Sequence, residues 1–298
     1  MRKTIKYFSL VTVTGISIIF LATDLSSWLY PVFVAAPGDR KEISLKETIS
    51  LTSNNLKNSM KNSSPANPPN DPMTHMGVII VPYFATTSQF WETIYLAADE
   101  YPGTIRYVII NPCSGPCNEP LSTDWQRIIS ELKSRNINTL GYIFDIFQSK
   151  ENIDYYMVKP QIPTDGIFFD NEGTSDTIDR FKQYADYVHS LGGAVYINPG
   201  FNYPHVTNYL KEGLADVANM YEFESSKAHH ISIDASLQPQ QVSAILGEVF
   251  TVLEMRKMIY ESAQAGVGTI YVYSDSYDSL PTFFSEMVRE SADTKVKR

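Results

Sequence analysis

From residue 77 onward the sequence alternates, eight times over, between a short apolar run and a longer amphipathic stretch. The apolar runs are "GVIIVPYF" (77–84), "RYVIINP" (106–112), "TLGYIFD" (139–145) and "GIFFDN" (166–171). They continue with "GAVYINPG" (193–200), "DVANMYEF" (216–223), "QVSAILGEV" (241–249) and "TIYVYSD" (269–275). Each is continuous and rich in β-branched and aromatic residues, the pattern of strands covered on both faces. The stretches between them have helical periodicity. Trp125, Ile128, Ile129 and Leu132 share one face, with Ser122 or Thr123 placed to cap it. Ile178, Phe181, Tyr184, Ala185 and Val188 form a second stripe that stops at Gly192, and a third helix stops at Gly266. The Met residues on that third helix read as core filler. Repeated strand–helix units predict an α/β fold, a (β/α)₈ TIM-type barrel. A doubly wound open sheet would carry fewer strands and a glycine-rich first turn. The first turn here, "PYFATTSQF", has neither GxGxxG nor a Walker A pattern, so no nucleotide site is expected.

In such a barrel the C-terminal strand ends share one mouth, where active sites lie. The ends in this sequence read Tyr83, Asn111, Asp145, then Asp170 with Asn171 and Glu172. Next come Asn198, then Glu222 and Glu224, then Glu248, and finally Asp275 with Asp278 just beyond. The opposite loops carry ordinary Lys, Glu, Asn and Gly. Acids that converge without a metal or nucleotide motif suit glycosidic bond cleavage. One carboxylic acid protonates the leaving oxygen, and a second carboxylate attacks the anomeric carbon or activates water. Close carboxylates push one pKa up, so one can stay protonated near neutral pH. Asn and Tyr side chains hold sugar hydroxyls, and aromatic faces stack on sugar rings. Plainer readings stand beside these. Asp145 also suits a helix cap, Asp275 and Asp278 suit loop acids, and Tyr83 suits rim packing. Asn111 and Asn198 each precede Pro, a common turn device.

Other chemistries lack their signatures. The formal net charge is −9 and the folded part has no basic run, so nucleic acid is not an expected partner. The five His residues include no HxxxH or HExxH spacing, so no metal site is expected. There is no GxSxG elbow, and Ser114 has no triad around it. No cofactor is expected.

The N-terminus is set apart from the barrel. Arg2, Lys3 and Lys6 precede the apolar segment 7–22, the layout of a secretory signal, somewhat short of the about 20 residues of a membrane span. More apolar sequence follows Asp24, so residues 1–36 read either as a cleaved signal or as an uncleaved anchor. In either case the bulk is exported, with the N-terminus inside, and the protein is expected outside the cell or at its surface. Residues 37–75 are rich in Asn, Ser and Pro and read as a disordered tether. Residues 76–292 hold the barrel. For Cys113 and Cys117, export favours a disulfide over free thiols, and two Cys at this spacing make a poor zinc site.

The ordered set "GVIIVPYF", "IINPCSGPC", "LGYIFD", "DGIFFDNE", "NPG", "YEFE", "GVGTIYVYSD" and "YDSLP" resembles the spherulin-4 family, spherulation-specific family 4, over about residues 76–285. The resemblance implies a (β/α)₈ barrel and glycoside hydrolase activity. Characterised fungal relatives are endo-acting α-1,4-N-acetylgalactosaminidases acting on galactosamine-containing exopolysaccharide. It also implies catalytic acids at an adjacent Asp-Glu pair ending strand four and at a Glu ending strand six. Carried onto this chain, these are Asp170 and Glu224. The chain departs from the pattern at strand four. Where the family reads Phe-Asp-Glu, it reads Phe169-Asp170-Asn171-Glu172. The second acid is either replaced by an amide or displaced to Glu172, which Gly173 could turn into the mouth. A milder departure is "FNYPH" after "NPG", with His205 nearby, where relatives usually place an acid near the start of the next helix.

These readings give Asp170 and Glu224 as catalytic, assisted by Glu172. Tyr83, Asn111, Asp145, Asn171, Asn198, Glu222 and Asp275 are the substrate contacts, and the partner is a polysaccharide or oligosaccharide. The alternatives are a glycan-binding protein that has lost turnover through Asn171, and a cell-envelope scaffold that uses the barrel as a rigid body.

Overall fold

The computed structural model describes residues 75–82, 88–144, 148–175, 177–224 and 231–297, and the backbone at 10–13 and 16–19. Tyr83, Asp145 and the side chain of Glu224 lie outside the described residues. So do nearly all of the leader and tether. Within the leader, Leu10–Val13 pairs antiparallel with Ile16–Ile19. Among the described residues, no helix is long and apolar enough to cross a membrane.

The first half of the barrel runs β1 (Gly77–Ile80), α1 (Ser88–Glu100), β2 (Ile105–Ile110), α2 (Thr123–Ser134), β3 (Asn138–Phe144), α3 (Lys150–Met157), β4 (Gly166–Asp170) and α4 (Ile178–Ser190). The second half runs β5 (Ala194–Asn198), α5 (Val206–Lys211), β6 (Val217–Glu224), β7 (Val242–Gly247), α6 (Val252–Ala265), β8 (Thr269–Val272) and α7 (Phe284–Asp293). All eight strands pair in parallel with their sequence neighbours, and β8 pairs with β1 to close the barrel.

The strands close because they bury both faces. Phe169 faces outward and meets Phe181 of α4 edge-on, with ring centroids 5.0 Å apart. Phe168, next along β4, faces inward. It packs at 5.2 Å on Tyr196 of β5, which in turn meets Tyr107 of β2 from across the barrel at 5.6 Å. This aromatic layer fills the interior, so the barrel is a packed core with its chemistry confined to the mouth. Helix ends follow local rules. Ser122 Oγ accepts from Trp125 N at 3.3 Å as the α2 cap. Gly266 ends α6 at φ 91°, a left-handed conformation that costs glycine little.

Candidate active site

The parallel register carries one side chain from each of three adjacent strands to the mouth. Asp170 ends β4 and lies level with Phe144 of β3 and Asn198 of β5. Its Oδ1 accepts from Asn198 Nδ2 at 2.7 Å and from Asn171 N at 3.0 Å, and its Oδ2 accepts from Tyr142 O–H. The same Asn198 Nδ2 donates to Glu222 Oε2 at 2.7 Å. Because both carboxylate oxygens stand 2.7 Å from one nitrogen, they are no more than 5.4 Å apart. Tyr277, beyond β8, donates its O–H to Glu222 Oε1 at 2.8 Å.

Glu222 reaches the mouth through a β-bulge. Upstream, Asn219 pairs with Ser243; downstream, Tyr221 pairs with the next residue, Ala244, so Met220 is the extra residue. Strict alternation would put Asn219 and Tyr221 on one face and Glu222 on the other. The inserted residue reverses that parity. Glu222 now shares the inner face with Asn219, while the Tyr221 hydroxyl bonds outside the barrel to Ser232 N at 2.9 Å and Asn202 Nδ2 at 3.2 Å. Bulges next to active sites commonly re-aim a side chain in this way.

Burial pushes the Glu222 carboxyl above the usual glutamate value, and the nearby Asp170 charge acts in the same direction. The hydrogen bonds from Asn198 and Tyr277 oppose it. Burial also pushes the Tyr277 phenol far up, with the Glu222 charge adding to it, so Tyr277 remains a donor at neutral pH. The pair therefore offers one carboxyl disposed to hold a proton beside a second carboxylate with three donors on it.

The structure does not bring Glu172 into this group. After Asp170 the chain turns through Asn171 at φ 64° and Gly173 at φ 87°. Asn is one of the few side chains that tolerates the left-handed region, so the residue in the second-acid position serves the turn. The turn carries Glu172 beneath the loop, where its side chain is fully shielded from solvent. Its Oε1 accepts from Thr177 Oγ1 at 2.5 Å and Tyr209 O–H at 2.9 Å, its Oε2 accepts from Gln148 Nε2 at 2.5 Å, and Arg180 lies 3.9 Å away. Glu172, expected to assist the acids, thus stands outside the Asp170–Glu222 group and ties the loop after β4 to α4 and α5.

Other expected contacts separate. Asn111 is buried, and its Oδ1 accepts from Gly115 N at 3.0 Å, clamping the loop closed by the Cys113–Cys117 disulfide, whose Cα atoms are 5.4 Å apart. Asp275 is exposed, because β8 ends at Val272 and leaves it in the following loop. That loop contributes Tyr277 instead. The backbone of Glu224 ends β6 level with Gly247. Tyr142, Asn219 and Tyr277 were not singled out in the sequence. Tyr142 sits in the apolar run of β3, where only the inward parity shared with Asp170 marks it. Among the described residues no group of His, Cys, Asp and Glu is placed to hold a metal ion.

The sequence model of spherulation-specific family 4 matches residues 77–290. No curated protein matches the chain at a significant level. Among solved structures, Aspergillus clavatus Sph3 in complex with GalNAc superposes with a TM-score of 0.61 at 21% identity, covering 74% of this chain and 98% of that one. A GH18 chitinase from Pseudoalteromonas aurantia gives a TM-score of 0.48 at 12% identity, covering 71% of this chain and 99% of that one.

Proposed function

The chain belongs to spherulation-specific family 4, and from that premise we propose that it is a glycoside hydrolase acting outside the cell on an amino-sugar polysaccharide, with Asp170 and Glu222 as its acids. The observation that carries this reading is the bridge at Asn198, which holds the two carboxylates on one amide nitrogen. Glu222, disposed to hold its proton by burial, protonates the glycosidic oxygen. Asp170, with Tyr142, Asn198 and Asn171 donating to it, meets the positive charge that develops at the anomeric carbon. The two oxygens that share the Asn198 nitrogen stand no more than 5.4 Å apart, so both carboxyls border one small space at the mouth. In this reading Asp170 is the nucleophile or charge-stabilising partner.

The Sph3 structure holds GalNAc, so N-acetylgalactosamine is the first sugar to test. Together with the family resemblance, it supports an endo-α-1,4-N-acetylgalactosaminidase. Export is supported by the basic and apolar leader pattern of residues 1–36. A second reading, a glycan-binding protein without turnover, is favoured by Asn171. It stands where the family pattern has an acid, and Glu172 does not replace it.

The test is reducing-end release by the full chain from acetylated and deacetylated galactosaminan, with chitin-type polymers alongside. Release from galactosaminan supports the hydrolase. Binding by calorimetry without release moves the assignment to the second reading. Glu172→Gln separates the structural carboxylate from the working pair. It places an N–H₂ among donors, so it is expected to cost about 1–3 kcal/mol of stability in thermal or denaturant unfolding while cleavage by the folded fraction persists. Loss of cleavage without loss of stability would return Glu172 to the catalytic group.

A further inference from the structure

We propose that Phe201, in the loop after β5, is a substrate-binding residue whose exposed ring, next to Glu222, receives the C–H face of a pyranose of the polysaccharide. The inference rests on the reading of Asp170 and Glu222 as the acids of a sugar site. It adds the surface on which the sugar lies.

The backbone ties this loop to the acid. Gly200 turns the chain at φ 67°. Its carbonyl oxygen accepts from Glu222 N at 2.9 Å, and a Cβ at this position would lie 3.8 Å from Glu222 Cβ and 3.9 Å from Glu222 Oε2. Phe201 follows one Cα step further on, about 3.8 Å. The loop is pinned on two more sides. Asn202 Nδ2 donates to Ser232 O at 2.8 Å and to the Tyr221 hydroxyl oxygen at 3.2 Å. His205 Nε2 donates to Gly173 O at 2.7 Å, in the turn after β4. A loop already held in this way loses little conformational freedom when a ligand settles on it.

The side chains of the loop form a row of rings. Tyr203 stacks on His205 with centroids 5.6 Å apart and planes at 10°, so each covers a face of the other. Phe201 meets Tyr203 at 5.3 Å with planes at 59°, a tilt that leaves its own faces uncovered, and it is 56% exposed. One exposed apolar side chain needs no explanation by itself. Here the ring without a hydroxyl or a charge is the one nearest Glu222 along the chain, on a backbone bonded to that residue. Such a ring offers an apolar face and nothing else. A pyranose has C–H groups on its faces and hydroxyls at its edge, so the two surfaces match while the acids meet the glycosidic oxygen. In galacto-configured sugars the axial C4 hydroxyl leaves H3, H4 and H5 together on one face, the face suited to Phe201.

The experiment uses the full-length protein carrying Glu222→Gln, which leaves the sugar uncleaved, and an α-1,4-linked N-acetylgalactosamine oligosaccharide as the probe. Adding Phe201→Ala is expected to weaken binding in calorimetry by about tenfold, the effect of losing roughly half of a full phenylalanine burial. Phe201→Tyr keeps the ring and is expected to restore the affinity. Saturating the aromatic protons of the protein in NMR should transfer to H3, H4 and H5 of the sugar, and this transfer should disappear in Phe201→Ala and return in Phe201→Tyr. Tyr260→Ala removes a ring of similar exposure, 60%, from the middle of α6 and is expected to change neither readout. Affinity and transfer that survive Phe201→Ala, an equal loss in Tyr260→Ala, or no binding of the oligosaccharide at all would overturn the proposal. With both acids intact, Phe201→Ala should raise KM for galactosaminan and leave kcat in place, the mark of a lost ground-state contact. Cleavage indifferent to Phe201 would refute the stacking role and leave the hydrolase standing. Binding that depends on Phe201 without any cleavage would refute hydrolysis and leave the stacking role standing.

Discussion

Asp170→Asn and Glu222→Gln are each expected to lower polysaccharide cleavage by about a thousandfold, within the about 10²–10⁴-fold range of positioned acids and bases. Both substitutions keep the shape of the side chain and remove a carboxyl, so sugar binding measured by calorimetry should survive. The pH dependence gives the sign. Burial raises the Glu222 carboxyl above the usual glutamate value, so the folded protein binds this proton more tightly than the unfolded chain does. The contribution to stability is fully present below the ordinary glutamate pKa and is lost as pH rises through the raised folded value. Glu222→Gln removes that loss. Whatever the offset from the changed hydrogen bonds with Asn198 and Tyr277, the melting temperature of the variant relative to the parent should rise as pH increases. The alkaline limb of cleavage should follow the same proton, with activity falling as Glu222 ionises. A Glu222→Gln variant that cleaves at near-parental rates would place the general acid elsewhere. Glu224→Gln in the same series tests the acid that the family resemblance names at the end of this strand.

Gly166→Ala is expected to destabilise the barrel by on the order of 3 kcal/mol or more, at or above the upper end of overpacking costs. A Cβ at Gly166 would lie 2.2 Å from the carbonyl oxygen of Ala194 and 2.7 Å from its nitrogen. These are backbone atoms of the adjoining strand, so no rotamer change relieves the contact. The strands that must part are β4 and β5, which end at Asp170 and Asn198. Separating them also disturbs the bond by which Asn198 holds Asp170. Denaturant unfolding should show the stability loss, and cleavage by the fraction that remains folded should fall with it. A variant with parental stability would mean that the two backbones are not held this close.

Most of the architecture could be read from the sequence because its causes are local or repeat along the chain. A strand buried on both faces needs a continuous apolar run, so the eight runs corresponded to the eight strands of the closed barrel. The helix ends that were read also have local causes, with Ser122 bonded within its own first turn and Gly192 and Gly266 at positive φ. Asp170 and Asn198 could be located for the same reason. They end neighbouring strands of a parallel barrel, and such ends converge.

The parts that could not be read depend on partners far away in sequence. Glu172 is two residues from Asp170, yet its surroundings are Gln148, Tyr209 and Arg180, contributed by three different segments. Asn171 looks like a lost acid in the sequence and proves to be the residue that allows the turn at φ 64°. Tyr277 reaches Glu222 across 55 positions. The sequence by itself determined the number of strands, their parallel order and the gathering of acids at one mouth, because hydrophobic periodicity and βα connectivity dictate them. Only the tertiary structure decided which acids meet. The bulge at Met220 shifts the register of β6 on β7 by one residue, and in a strand one residue separates a side chain that faces the mouth from one that faces away.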